Sequence, residues 1–358
     1  MALCGKITMF DVGDGDAILV HLKKGSKDLV IVVDCGHTSD YATHMREPLA
    51  ALLDETRKEG PDIVVATHYD ADHIAGLIPL MKDYEGKVGK LWAHSPPSSF
   101  DKLRAEWMQE QAGRTPSFNG FKALNEAKEL WAAAPLSARE RLDGERAVML
   151  ESLGQLRELE QLHEDGATQI FHGHPVPGWP EIKVLGPTQA YYNSLFPADK
   201  SFASLILEEA EEAAVLAGPK LMRLAEVAGL THEADPCSKV AMDGAPSITA
   251  TNRASIVFAI DVGQRRYLFT GDAGIQSFKK IPNWERELKD LYWLKVPHHG
   301  SERNLTREII DVMRPMYADC SGGDQHLDQH VLDCVGKNAR SARVSSTLKN
   351  GTLTMLIS

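Results

Sequence analysis

Several familiar features are missing from this sequence, and each absence narrows what it can be. No apolar run approaches the ~20 residues needed to cross a bilayer, so no membrane-spanning part and no membrane partner is expected. The first residues, Met1-Ala2-Leu3-Cys4-Gly5-Lys6, enter a strand at once without the layout of a signal peptide, and a cytoplasmic location is expected. The 5 cysteines, Cys4, Cys35, Cys237, Cys320 and Cys334, are scattered, odd in number and without a Cys-x-x-Cys pair. That argues against a disulfide framework or a zinc knuckle and predicts reduced thiols. Gly-x-Ser-x-Gly is absent, so no serine nucleophile presents itself. Basic charge is in short supply too. A net charge of −11 excludes a protein that coats nucleic acid through a broad basic surface. It does not exclude an enzyme acting on phosphodiesters. The basic residues Lys337, Arg340, Arg343 and Lys349 read as a solvated face.

What is present is a soluble globular chain of 358 residues, 43% hydrophobic and 25% charged, long enough for one elaborate domain or two. Lys6–Val12, Ala17–Leu22 and Leu29–Asp34 read as strands joined by Gly-rich turns. Tyr41–Arg57 has helical spacing at Met45, Leu49, Leu52 and Leu53. A meander leading into a βαβ unit predicts a mixed sheet. Further strands are read at 87–93, 168–175, 181–187, 252–260, 265–270 and 292–297. Residues 100–165 are rich in Ala, Glu, Leu, Arg and Gln, with a stripe at Met149, Leu153, Leu156, Leu159 and Leu162. They read as helices inserted into the core, packing on one another or forming a lid or docking surface for a protein partner. Residues 197–247 read as a second insertion.

The centre of the sequence is Ala66-Thr67-His68-Tyr69-Asp70-Ala71-Asp72-His73, which follows the apolar strand Asp62–Ala66 and precedes a helix read over Ile74–Lys82. His68, Asp70, Asp72 and His73 crowd a turn at the C-terminal end of a strand, a usual place for α/β sites. An Asp before a helix is ordinarily an N-cap. Two His and two Asp interleaved in one turn go beyond capping, since the carboxylates would repel each other without a cation. A divalent ion resolves the conflict, because imidazole and carboxylate both bind zinc or manganese. Asp272 and the pair His298-His299 repeat the arrangement, in turns just after apolar strands.

His68-x-Asp70-x-Asp72-His73 resembles the metallo-β-lactamase superfamily signature His-x-His-x-Asp-His, with Asp70 where the second His usually stands. Phe10-Asp11-Val12-Gly13-Asp14-Gly15-Asp16-Ala17 is similar to the Asp-Val-Gly-Gln-Gly-Asp segment in the C-terminal domain of the ComEC/Rec2 competence proteins, whose metal motif also carries Asp at that position. Val33-Asp34-Cys35-Gly36, Val184-Leu185-Gly186-Pro187, Asn252–Val257, Thr270-Gly271-Asp272, Lys295–Ser301, Cys320–His326 and Asn350–Thr354 continue the resemblance in collinear order. It implies an α/β (α+β) four-layer αββα metallo-β-lactamase sandwich over residues 1–358, carrying the helical insertions.

The resemblance also implies roles. Two divalent metal ions, zinc or manganese, would be held by His68 and Asp70 on one side and by Asp72, His73 and His299 on the other, with Asp272 between. Asp34 would orient the metal loop. Which of His298 and His299 is the ligand stays open, with His299 favoured; His94, His172 or His174, or water instead, would complete the first position. Two such ions can activate water and polarise a phosphoryl oxygen. Asp72, His298 and His326 are then candidate catalytic residues, the first two for proton handling and the last for the oxyanion or leaving oxygen. The expected activity is a phosphodiesterase or nuclease, with a phosphoester, nucleotide or nucleic acid as substrate. A carboxylic, lactone or phosphorylcholine-type esterase and a partner-binding subunit with structural metals are the alternatives.

Overall fold

A computed structural model of the protein describes residues 2–95, 152–196, 235–240, 248–323, 327–339 and 343–358. Its strands are β1 (Leu3–Met9), β2 (Ala17–Lys24), β3 (Lys27–Cys35), β4 (Ile63–Val65) and β5 (Lys90–Trp92), then β6 (Ile182–Gly186), β7 (Val257–Val262), β8 (Arg265–Phe269), β9 (Trp293–Lys295), β10 (Tyr317–Cys320), β11 (Arg343–Ser346) and β12 (Leu353–Ile357). They form two six-stranded sheets, ordered β12-β1-β2-β3-β4-β5 and β11-β10-β9-β8-β7-β6. The hairpins at β1–β2–β3 and β6–β7–β8 are antiparallel, whereas β3–β4–β5 and β8–β9–β10–β11 run parallel. Both sheets and the unit that holds them comprise Met1–Ser95, Gln155–Leu195 and Asp235–Ser358.

Period-2 alternation sends one set of side chains from each sheet into a shared core. Ile7, Val20, Ile31 and Val65 from the first sheet join Phe258, Phe269 and Trp293 from the second, with Met355 of β12. Phe258, fully buried and stacked on Phe269 at 4.4 Å between ring centroids, stabilises the fold by about 1.5–3 kcal/mol. On the other face of the second sheet, Leu268, Leu294 and Val296 pack with Phe278, Ile309, Ile310 and Val335. Those last four belong to helices, which supply a flanking layer.

Parallel strands end at the same edge, and this is what gathers the motifs. Asp34 sits at the C-terminal end of β3, and the turns after β4, β8, β9 and β10 carry His68, Asp272, His298 and Ser321, in that order.

Local structure departs from the sequence reading in four places. The helix after the metal motif is broken into α1 (Ala71–Ile74) and α2 (Leu77–Asp83). A Cβ on Gly76 would overlap the Cys35 carbonyl oxygen, so the chain turns there against β3. The strand expected at 252–260 starts later, because Thr249 caps a helical turn over Ala250–Arg253 through the Asn252 N–H. The stretch 168–175 contributes one bridge, Trp92 to Thr168, and no strand. Cysteine usage is the fourth correction: Cys237 and Cys334 are disulfide-bonded, while Cys4, Cys35 and Cys320 are free. The partners lie 97 residues apart, so no local spacing announced the pair.

Among the described residues no helix is long and apolar enough to cross a membrane. The segments read as insertions, 100–165 and 197–247, fall mostly outside the described residues. Of the expected stripe, Leu156 and Leu159 are buried within the unit that carries the sheets.

Candidate metal centre

Asp272 lies at the middle of the site. Its Oδ2 stands 3.4 Å from His73 Nε2, 3.6 Å from His299 Nε2, 3.7 Å from His298 Nε2 and 3.8 Å from His68 Nε2. Asp70 Oδ2 lies 3.4 Å from His68 Nε2. Asp70 occupies the N-cap position of α1 without a side-chain cap bond, so its carboxylate is not spent on the helix. Asp72 Oδ2 lies 3.6 Å from His299 Nε2 and 3.9 Å from His73 Nε2.

These separations suit a shared cation. Donors placed about 2.1 Å from one ion in a tetrahedron stand about 3.4 Å from each other. His68 Nε2 and His73 Nε2 are also buried without a hydrogen-bond partner, a costly arrangement unless something else satisfies them. The residues present therefore fit divalent metal. Groups whose donor atoms all lie within 4.8 Å of one another include His68–His73–Asp272 and Asp72–His73–His299, so His73 stands within reach of both positions.

Each imidazole is held from behind, and the holding fixes which nitrogen faces inward. Asp34 Oδ1 accepts from the Thr67 N–H at 2.8 Å, and Oδ2 accepts from Thr67 Oγ1 at 2.6 Å and from His73 Nδ1 at 2.9 Å. With its proton given to Asp34, Thr67 Oγ1 can only accept from His68 Nδ1, 3.1 Å away. Ser321 Oγ donates to Asp16 Oδ1 and so accepts from His299 Nδ1 at 3.4 Å. In the neutral form that binds metal, His68, His73 and His299 thus carry their protons on Nδ1 and turn Nε2 lone pairs toward Asp272. The orienting role implied for Asp34 is met by these bonds.

The charges are mutually stabilised. Burial opposes ionisation of Asp272, yet the imidazoles of His73, His299 and His298 outweigh it and hold the carboxyl well below its usual range. Asp72 is likewise held well below its usual range against the cost of burial, by His73 and His299. Burial also disfavours charge on His73, but Asp272, Asp34 and Asp72 together raise it well above an ordinary imidazole. His299 is raised in the same way, chiefly by Asp272 and Asp72 against burial.

Sequence reasoning missed part of this frame. Lys295 ends β9 fully buried, pairs with Asp16, donates to Gly271 O at 3.0 Å and lies 3.6 Å from Asp272 Oδ1. The Asp16 carboxylate also faces His73 Nδ1 and His299 Nδ1, each at 3.8 Å. Gly15 has φ +150°, and a Cβ there would come within 2.5 Å of the Asp72 carbonyl oxygen. The Gly13–Asp16 turn is therefore a backing plate for the metal loop. The one available signal was a lysine in the otherwise apolar run Trp293-Leu294-Lys295-Val296.

Three candidates are not brought in. His94 has both ring nitrogens against backbone carbonyls, Nδ1 3.1 Å from Ala254 O and Nε2 2.5 Å from Ile170 O, and belongs to none of the candidate ligand groups. His172 Nδ1 donates to Leu185 O at 2.9 Å, and His174 stands edge-on to Trp92 at 6.1 Å. None of these completes the first position. His326 lies outside the described residues.

Residues 10–178 match the family model described as the Metallo-beta-lactamase superfamily. Two six-stranded sheets faced by helices, with His and Asp side chains gathered at one strand edge, match the metallo-β-lactamase fold, whose superfamily consists typically of metal-dependent hydrolases. More particularly, the chain is similar to ComE operon protein 3 of Bacillus subtilis (strain 168), 32% identical over 114 residues, in keeping with a ComEC-like relative. That match covers 30% of this chain and 14% of the relative's length. Among solved structures it is similar to the metallo-beta-lactamase fold protein YhfI from Bacillus subtilis, with a TM-score of 0.42 and 10% identity over 99% of each chain.

Proposed function

We propose that the protein is a two-metal phosphodiesterase or nuclease. The observation that carries this reading is Asp272 Oδ2, one carboxylate oxygen within 3.4–3.8 Å of four imidazole nitrogens. His68, Asp70 and Asp272 would hold one ion, zinc or manganese, and Asp72, His73, His299 and Asp272 the other. Such ions, when bound, lower the pKa of coordinated water and polarise a phosphoryl oxygen.

The chain's own groups divide the remaining work. Asp272 and His73 are nearly inaccessible, with side chains 3% and 0% exposed, and serve as fixed ligands. Asp72 and His298 are 27% and 17% exposed and can meet substrate. Either can take the proton that water loses as its oxygen bonds to phosphorus. His326 would protonate the departing alkoxide, so that a diester and water give a monoester and an alcohol. A net charge of −11 fits a small or single-stranded phosphodiester better than a duplex held on a broad basic face.

The test is hydrolysis by the purified chain supplied with manganese or zinc. Bis(p-nitrophenyl) phosphate and single-stranded oligonucleotides should be cleaved, and chelator should abolish the activity. Turnover of lactones or phosphorylcholine esters with no phosphodiester cleavage would overturn the reading.

A further inference from the structure

Asn304 is fully buried, and its surroundings allow its amide one orientation. Nδ2 lies 2.9 Å from the Asp272 carbonyl oxygen and 3.2 Å from that of Ala273. Carbonyl oxygens only accept, so the NH2 end must face them. The amide oxygen is then left for His298, whose Nδ1 lies 2.9 Å away. An amide oxygen also only accepts, so Nδ1 of His298 carries a proton. The other ring nitrogen, Nε2, lies 3.7 Å from Asp272 Oδ2.

This matters because a neutral histidine left to itself favours the proton on the other nitrogen, Nε2. A proton there would place an N–H where the remaining three imidazoles present lone pairs. The same amide also ties the turn after β8 to the turn after β9, since one end grips Asp272 and Ala273 and the other grips His298. His298 and His299 have φ values of 47° and 51°, in the left-handed region that non-glycine residues avoid. Strained backbone of this kind persists only where neighbours over-determine it, and Asn304 is one such neighbour.

We propose that Asn304 is a positioning residue, which locks His298 in the Nδ1-protonated form so that Nε2 offers an electron pair to the Asp272 edge of the centre. The proposal rests on reading that cluster as a metal centre. Acting through His298, Asn304 makes it an electron-pair donor and excludes it from acting there as a neutral N–H donor. An aspartate at 304 would not substitute, because its second oxygen would face two carbonyls and be repelled.

The experiment is two-bond 15N–1H correlation spectroscopy on the full chain labelled with 15N-histidine. It is recorded metal-free at alkaline pH and again with zinc, and His298→Gln identifies the His298 signals. The expected wild-type pattern is a protonated Nδ1 and a bare Nε2, with Nε2 shifting when zinc is added. Asn304→Ala should move His298 toward the Nε2-protonated form, and Asn304→Ser, which cannot span both sides, should do the same if the alanine variant does not fold. A wild-type His298 protonated on Nε2 would overturn the proposal, and so would a folded variant whose tautomer matches wild type. The phosphodiesterase reading fails separately: the tautomer pattern with no hydrolysis of any phosphodiester would remove that activity and leave the role of Asn304 standing.

Discussion

Lys295, at the end of β9 in one sheet, pairs with Asp16 in the β1–β2 turn of the other, and neither side chain is more than 1% exposed. Each is costly to bury alone. Burial works against the charge on Lys295, but Asp16 and Asp272 hold it protonated; burial works against Asp16, but Lys295, His73 and His299 hold it ionised. Lys295→Met should therefore cost about 3–5 kcal/mol, because it strands a buried carboxylate. Combining it with Asp16→Asn should recover much of that loss. Urea unfolding of the metal-free variants is the measurement, and a double variant no more stable than Lys295→Met alone would contradict the pairing.

Metal content separates the roles of two other aspartates. Asp272→Ala should reduce the bound metal from the proposed two ions per chain to nearly none, since both proposed positions lose the oxygen they share. Asp70→Ala removes a group near His68 alone and should weaken one ion. Elemental analysis after dialysis reads both, and equal effects would argue against a shared Asp272.

Stability without metal should depend on pH on both sides. Asp72 and Asp272 have folded values below the ordinary 3.8, so their contribution is complete above that value and is lost as acid takes the pH through the lowered range. His73 and His299 lie above the ordinary 6.5, so their contribution is complete below it and is lost as the pH climbs through the raised range. The chelator-treated chain should be most stable between these limits, with Tm falling on the alkaline side. Metal binds imidazole in its neutral form, so the loaded chain should keep its Tm over the same alkaline range. Thermal melts across pH, with and without metal, test this; matching alkaline limbs would refute it.

Gly15→Ala should act on the metal without touching a ligand. Its Cβ would press on the Asp72 carbonyl, and affinity should fall by roughly 10–100-fold, as for other changes just behind a ligand. Gly13→Ala is the control, because φ there is +71° but nothing lies within 4 Å. It should cost about 1–3 kcal/mol of backbone strain and leave the affinity alone. Competition with a coloured chelator distinguishes the two.

The candidate ligand turn could be picked out because His68 to His73 form one contiguous crowd whose chemistry shows without a partner. Asp272 and His299 could be read from turns after apolar strands. The frame behind them was not legible in the same way. Ser321 meets Asp16 across 305 residues, and Asn304 meets Asp272 across 32, so no window of the sequence holds both halves. The break at Gly76 was hidden for a related reason, since what forbids a side chain there is the backbone of β3. His94 misled because its position after β5 suited a ligand, while the two carbonyls that occupy it come from Ile170 and Ala254.

The pairing of β12 with β1 joins the last strand of the first sheet to its first. Contacts of such span form slowly, because the search must close a long loop before any reward arrives. During synthesis β1 waits with an open edge, and Asp16 waits for Ser321, until nearly all of the described chain has been made. The metal loop is finished early in sequence but is backed only late. Ion capture by the proposed centre would thus belong to the closing phase of folding, and refolding from denaturant should regain burial of Trp293 before it regains any tight metal binding.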